Sequence, residues 1–224
     1  MSSIGLRQAY SIVKKAYQAK GRNPVTTASD LRSIVPVSAS KTQYTFPIIV
    51  GEDTNNYPEA ILLNRADAFT VVEMGLFIGK KTSSSDTTYN LYSYPNAVEF
   101  SGAGDADKFK TLFNHSILNA TINNVQYLQN FSTSRFRNAG VTQDGLGFGA
   151  ASATPTVAST VVDSFDSSTG FYPTCPTLQL SGTSKIDITI NLPAALNAAG
   201  GSDTYVIMLA LRGFLSLGAS NLNK

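Results

Sequence analysis

An alternation of apolar and polar side chains with a period of two constrains this chain most, and it begins near residue 42. It is clearest over 186–192, where Ile or Leu alternates with Asp, Thr and Asn. Successive side chains of a strand point to opposite faces of a sheet, so this stretch predicts a strand with one solvated face. The stretch 205–217 is apolar on both faces, which predicts a central strand buried on both sides or packed against a neighbour.

Comparable stretches, separated by turns rich in Gly, Asn and Ser, predict eight or nine strands after residue 42. Asn123-Asn124 predicts a two-residue hairpin turn, because Asn tolerates positive φ. A helical turn is the alternative for Asp105 to Phe113, a short Ala-rich helix is a candidate at Pro193 to Ala199, and 137–175 resembles a long loop. Few helices and regularly spaced strands predict an all-β sandwich or barrel. We expect its strands at 43–50, 69–79, 88–100, 109–113, 116–122, 125–132, 176–181, 185–192 and 204–217.

A helical pattern precedes the strands, at 3–19. Its large apolar side chains recur at spacings of four, three and four, which places them on one helix face: Leu6, Tyr10, Val13 and Tyr17. Gly21 and Pro24 end the helix, and a polar extended stretch follows. We therefore divide the chain into a basic N-terminal helical arm, 1–41, and a β domain, 42–224.

Charge is distributed unevenly between these two parts. Residues 1–41 hold seven basic side chains and one acidic side chain, a net charge of +6, whereas the remainder holds ten basic and fourteen acidic, a net charge of −4. A basic arm on a mildly acidic body predicts an anionic partner on one side only. The residues expected to face it are Arg7, Lys14, Lys15, Lys20 and Arg22.

The sequence lacks the residues that most catalytic and metal sites need. It has one histidine, His115, and one cysteine, Cys175, which excludes a disulfide framework within the chain and zinc sites built from several His or Cys. No G-x-S-x-G motif occurs, and the glycines of DGLGFGA do not have phosphate-loop spacing. We therefore expect no enzyme activity, no cofactor and no metal. We also expect a protein that is soluble when made, because no apolar run or conventional secretory signal is present.

Three charged clusters leave a functional interpretation open. Glu52-Asp53 and the pair Asp105 and Asp107 have the ligand chemistry for calcium at a subunit contact, but isolated acidic pairs are more often only solvated. Arg135 and Arg137 flank Phe136 just after a predicted strand. Guanidinium groups in this position are suited to a neighbouring subunit or an anionic ligand, and an exposed strand end is the alternative.

Five β segments follow one another over about 42–217: YTFPIIVGE, AILLNRADAFTVVEMGLFIGK, FNHSILNATINNVQYLQNFSTSRF, KIDITINLP and YVIMLALRGFLSLG. Their style and order resemble those of jelly-roll capsid proteins from non-tailed icosahedral bacteriophages. The resemblance implies an eight-stranded jelly roll made of two packed sheets, with a very compact double jelly roll as the alternative. It also implies a structural protein of the virion, made in the host cytoplasm, that self-assembles into an icosahedral shell with copies of itself and other virion proteins.

In such a shell the N-terminal arm faces the genome or an internal membrane. The apolar face of its helix, Leu6/Tyr10/Val13/Tyr17, then packs under a neighbouring subunit or on lipid, and docking on its own barrel is the alternative. We expect subunit contacts from this face and from Arg135 and Arg137. A spike or glycan-binding jelly roll is the rival function, with Tyr89, Tyr92, Tyr94, Phe171 and Tyr172 as candidate stacking residues. A cupin-like enzyme is disfavoured by the single histidine.

Overall fold

A computed structural model describes residues 3–21, 23–53, 55, 57–81, 87–95, 100, 105–137, 170–197 and 204–220, with the side chains of 3–7 and 176 excepted. These residues form two helices, α1 (Ser3–Ala19) and α2 (Asp105–Asn114). They also form nine strands: β1 (Thr26–Pro36), β2 (Gln43–Phe46), β3 (Ala68–Lys80), β4 (Asn90–Tyr92), β5 (Ile117–Ile122), β6 (Val125–Ser132), β7 (Phe171–Ser181), β8 (Ile186–Asn191) and β9 (Tyr205–Ser216).

The strands form two antiparallel sheets, so the all-β prediction is confirmed. Sheet A has the order β1-β9-β3, and the far edge of β3 is shared by β7, along Ala68 to Gly75, and by β4, along Ile78 to Lys80. Sheet B has the order β2-β8-β5-β6. One hydrophobic core joins inward side chains of both sheets, among them Phe69, Leu209, Leu118 and Ile188. The two sheets therefore pack as a sandwich.

The alternation in the sequence corresponds to the burial of the strands. In β8 the isoleucines are buried, while Asp187 is exposed and Thr189 is half-buried. In β9 the side chains that face the sandwich core alternate with Val206, Met208 and Ala210, which are buried in a second cluster. The predictions of a one-sided strand at 186–192 and a strand buried on both faces at 205–217 are both confirmed.

Strand β1 corrects the expectation that the first strand begins at residue 43. Residues 26–36 pair with β9 in continuous register, from Thr26 opposite Ser216 to Pro36 opposite Val206. This stretch, which we assigned to the N-terminal arm, therefore lies in sheet A. Its Ser, Thr, Asp and Arg residues conceal it in the sequence, and its N-terminal half stays largely exposed at the edge of the sheet.

Two further expectations for the middle of the chain were wrong. Residues 109–113 form part of α2 and not a strand, because Ala106, Phe109 and Phe113 are spaced to bury one helix face; the helical alternative for Asp105 to Phe113 is confirmed. The predicted strand at 88–100 is reduced, among its described residues, to Asn90–Tyr92. The hairpin turn is confirmed, since Asn123 and Asn124 have φ of 50° and 66°.

The remaining expectations concern the region around β7 and β8. β7 begins at Phe171, five residues before the predicted start at 176, so the end of the expected loop belongs to sheet A. The rest of that loop, 138–169, lies outside the described residues. The short helix expected at 193–199 does not form over the described residues 193–197.

Candidate functional site

Helix α1 lies on the outer face of sheet A, on the side opposite the sandwich core. Its Val13 and Tyr17 are 4% and 7% exposed, and they pack in one cluster with side chains of β3, β9 and the chain beyond β9: Ala68, Val72, Phe214 and Ala219. Tyr10 meets the ring of Phe214 edge-on, at 5.5 Å between centroids. Val13 and Tyr17 are therefore covered by their own sheet, and Tyr10 contacts it while staying 37% exposed, which is the docked alternative that the sequence left open.

The described basic side chains of α1 and of the turn that follows it are exposed to solvent. Lys14, Lys15 and Lys20 are exposed, and the helix contains no acidic residue. Ile12 is the one large apolar side chain of the described helix that is mostly exposed, at 67%. The side chains of Leu6 and Arg7, and all of Arg22, lie outside the described residues. The surface that remains for a partner is therefore cationic and polar, and only weakly apolar.

The side chain of Arg135 contacts both sheets at their edges, where β6 of sheet B and β7 of sheet A lie. Its guanidinium lies over the rings of Phe131 in β6 and Tyr172 in β7, at 5.1 and 5.2 Å from their centroids. Nη1 of Arg135 also donates a hydrogen bond to Tyr172 Oη at 2.6 Å. The exposed guanidinium is thus held in place by two aromatic faces, although Tyr172 is 37 residues away in sequence.

Arg137 is held in a similar way one turn further along. Its guanidinium lies 4.4 Å from the ring centroid of Tyr94, and its Nη1 donates to Asn114 Oδ1 at 3.4 Å. The backbone N–H of Arg137 closes the 3-10 turn Thr133–Phe136 by donating to Ser134 O. Both arginines therefore contact their own chain through neutral partners. Sequence reasoning did not identify Tyr172, Tyr94 and Asn114 as partners of the arginines, because nothing close to the arginines in the sequence indicates these contacts.

The acidic candidates for calcium are used inside the fold or are separate from each other. Asp105 is buried at the start of α2, where its carboxylate accepts from Tyr205 Oη at 3.2 Å and pairs with Lys108 Nζ at 3.3 Å. Burial and the neighbouring Asp105 carboxylate raise the pKa of Tyr205 to about 12. Asp107 pairs with Lys110 at 3.2 Å. Within the described ranges, no three His, Cys, Asp or Glu side chains come together as a metal site.

Neither the single histidine nor the candidate sugar-stacking residues form a site. His115 is exposed just after α2, and Cys175 is exposed on β7. Tyr89, Tyr92 and Tyr94 are buried, and the rings of Phe171 and Tyr172 pack on Phe77 and Phe131. Stacking on a sugar needs an open ring face, which the three buried tyrosines do not offer.

Comparisons with known proteins add nothing to the geometry of the site. No helix in the described part of the chain is both long enough and apolar enough to span a membrane. No protein-family model matches this chain, and no curated protein or solved structure is significantly similar to it.

Proposed function

We propose that this chain is a structural shell protein, a single jelly roll that self-assembles into an icosahedral capsid. The observation that carries the proposal is the nested pairing of the strands. A jelly roll is a long antiparallel hairpin of eight strands wound into two sheets, so that its outermost pair and its third pair share one sheet while the other two pairs share the second. With the three-residue β4 set aside, the pairs β1–β9 and β3–β7 lie in sheet A, and β2–β8 and β5–β6 lie in sheet B.

The strand count favours one jelly roll over two. All eight of the longer described strands, β1 to β3 and β5 to β9, are used by a single set of nested pairs. A double jelly roll needs about sixteen strands, and each of its rolls needs a core of its own. The core cluster between the sheets of this chain is continuous, running from Leu31 in β1 to Leu211 in β9.

Self-assembly fits a molecule in which no catalytic constellation is apparent among the described residues. Wedge-shaped sandwiches form closed shells when many copies bury their sides against one another. The low charged fraction, 14% of residues, leaves much of the surface neutral and polar, which favours packing against neighbours. Other virion proteins are the further partners of such a shell.

The basic face of α1 is proposed to meet phosphate on the inside of the shell, from genome nucleic acid or from internal membrane lipid. Because Val13 and Tyr17 are occupied by sheet A, the helix approaches phosphate with its lysines while its apolar stripe stays docked. Binding of this kind releases counterions, so it weakens as salt rises and does not depend on base sequence.

Assembly of the purified chain tests the proposal. We expect concentrated protein to sediment as large closed particles and to show regular shells by electron microscopy. A chain that remains monomeric at high concentration, with no particles, would contradict it. In the same preparations, the variant Lys14→Gln/Lys15→Gln should form particles that retain less nucleic acid than the wild type. Lys185→Gln, at an exposed position in the turn between β7 and β8, is the control and should retain as much as the wild type.

A further inference from the structure

We infer that copies of this chain dock head to tail, with Arg135 and Arg137 of one copy seated against an acidic groove around Glu52 and Asp53 of the next. This inference rests on the proposed function, because it names the two surfaces through which shell subunits meet. The arginine side is defined here by Arg135 and Arg137. The groove side is defined by the residues that line the groove: Val35, Pro36, Lys41, Gln43, Tyr44, Thr45, Pro47, Glu52, Asp53 and Asn55.

The two surfaces lie on opposite sides of the sandwich. β1 and β2 are the edge strands of sheets A and B on one side, and they supply part of the groove. β7 and β6 are the edge strands on the other side, where Tyr172 and Phe131 meet across the gap at 5.8 Å between ring centroids. Because the surfaces are separated by the width of the sheets, a single chain cannot bring them together.

On the arginine side, two fixed positive charges have no negative partner among the described residues. Within the described residues, Arg135 and Arg137 bond only to Tyr172 Oη, Asn114 Oδ1 and backbone, and neither forms an ion pair. A guanidinium has five N–H donors, and each side chain uses one of them here. The stacked rings hold both groups in position, so little side-chain entropy remains to be lost when a carboxylate binds.

On the groove side, two carboxylates are fixed by the backbone and keep one oxygen available. Oε2 of Glu52 accepts from the N–H groups of Ile48 and Ile49 at 3.1 and 3.0 Å. Oδ1 of Asp53 accepts from Asn55 N at 2.8 Å. Neither carboxylate forms an ion pair with a described residue, and each has a second oxygen to offer. Lys41 lines the same groove, so the net charge of the groove is −1.

Charge, chemistry and symmetry together identify the occupant as a second copy. Carboxylates are the natural bidentate partners of guanidinium groups, and the groove, of about 330 Å³, is open to solvent. A contact between two different surfaces repeats from copy to copy and closes into a ring when the rotation allows it. A shell lattice requires contacts of this heterologous kind, whereas a two-fold dimer would pair each surface with itself.

Oxidative cross-linking distinguishes these two geometries. In a Cys175→Ser background, Ser134→Cys places a thiol beside Arg135, and Asn55→Cys places one in the groove, while all four charged residues are kept. The chain with both changes should give a ladder of disulfide-linked trimers and larger species on a non-reducing gel, and each single variant should stay monomeric. Adding Glu52→Gln/Asp53→Asn keeps the hydrogen-bond acceptors but removes the charges, and it should reduce the ladder at least tenfold.

Each other outcome overturns the inference. Dimers from either single variant would show that a surface pairs with itself. A ladder that persists after Glu52→Gln/Asp53→Asn would show that these carboxylates do not hold the contact. Particles from the wild type without any ladder would refute the head-to-tail contact and leave the shell function standing. A wild-type chain that forms no particles refutes both.

Discussion

The outer faces of the two sheets differ, and the difference shows how many layers each sheet belongs to. On the central strands β3 and β9 of sheet A the outward side chains are mostly apolar and covered, as at Phe77 and Met208, which are 0% and 1% exposed. On sheet B the outward side chains are polar and open, as at Thr45 and Asp187. Sheet A is therefore a middle layer, with sheet B beneath it and α1 on part of its other face. Sheet B is an outer layer with one wet face.

Matched substitutions at outward positions of the two sheets should give the largest difference in stability between the two faces. Met208→Lys puts an unpaired charge into the covered face of sheet A, and we expect it to lower the free energy of unfolding by about 3–5 kcal/mol. Thr189→Lys makes a similar change on the open face of sheet B and should alter it by less than about 0.5 kcal/mol. Urea denaturation of the two variants measures both values. Equal losses would mean that the two faces are equally covered.

Removing the side chains that attach α1 should have an intermediate effect. Tyr17→Ala deletes a buried ring from the cluster with Val72 and Phe214, and we expect a loss of about 2–4 kcal/mol. Ile12→Ala, on the exposed side of the same helix, is the matched control and should cost less than about 0.5 kcal/mol. Thermal denaturation of both variants provides the measurement. If Tyr17→Ala has no larger effect than Ile12→Ala, the helix does not act as a cover for sheet A.

We expect the smallest difference between the two sheets in their response to alkaline pH. Each sheet contains a buried tyrosine whose pKa is raised. Burial and Asp105 raise the pKa of Tyr205 in sheet A to about 12, whereas in sheet B burial raises the pKa of Tyr44 and its hydrogen bond with Ser38 lowers it in part. A raised pKa means that the folded state holds the proton more tightly than the unfolded state. The stabilisation is therefore complete below about pH 10 and is lost as pH rises through about 12.

We expect Tyr205→Phe to be less stable than the wild type at neutral pH by about 1 kcal/mol, because the hydrogen bond to Asp105 is lost. Its stability should then decline less steeply than that of the wild type above pH 10, so that the two curves converge. Tyr44→Phe should reduce the loss of stability above pH 10 by less than Tyr205→Phe does. Urea denaturation between pH 7 and about pH 11.5 compares the three proteins. Parallel curves for Tyr205→Phe and the wild type would rule out a linked proton at Tyr205.

Local pattern predicted the elements whose burial is regular along the chain. α1, β8 and β9 were recognised because each has a period, of about 3.6 or of two, or a continuous apolar run. The Asn123-Asn124 turn was recognised because its backbone conformation depends on those two residues alone. β1 was not recognised, because its half-exposed, polar residues become a strand only by pairing with β9.

In the candidate site, too, some features could be predicted from the sequence and others could not. The basic and acidic residues themselves, including Arg135 and Glu52, were identified in the sequence, since charge is a property of the residue. Their surroundings depend on contacts between segments far apart in the chain, such as Arg135 with Tyr172 and Asp105 with Tyr205 across 100 residues. Periodicity carries no information about which distant segment lies opposite.

By itself, then, the sequence determined that this protein is built of strands, which strand is buried on both faces, and that a basic amphipathic helix precedes them. Only the tertiary structure decided that this helix covers its own sheet A, that β1 completes that sheet, and that the arginines and the acidic groove lie on opposite sides. The physical reason is that burial is encoded residue by residue along each strand or helix, whereas the pairing of distant segments is chosen by the packing of the whole core.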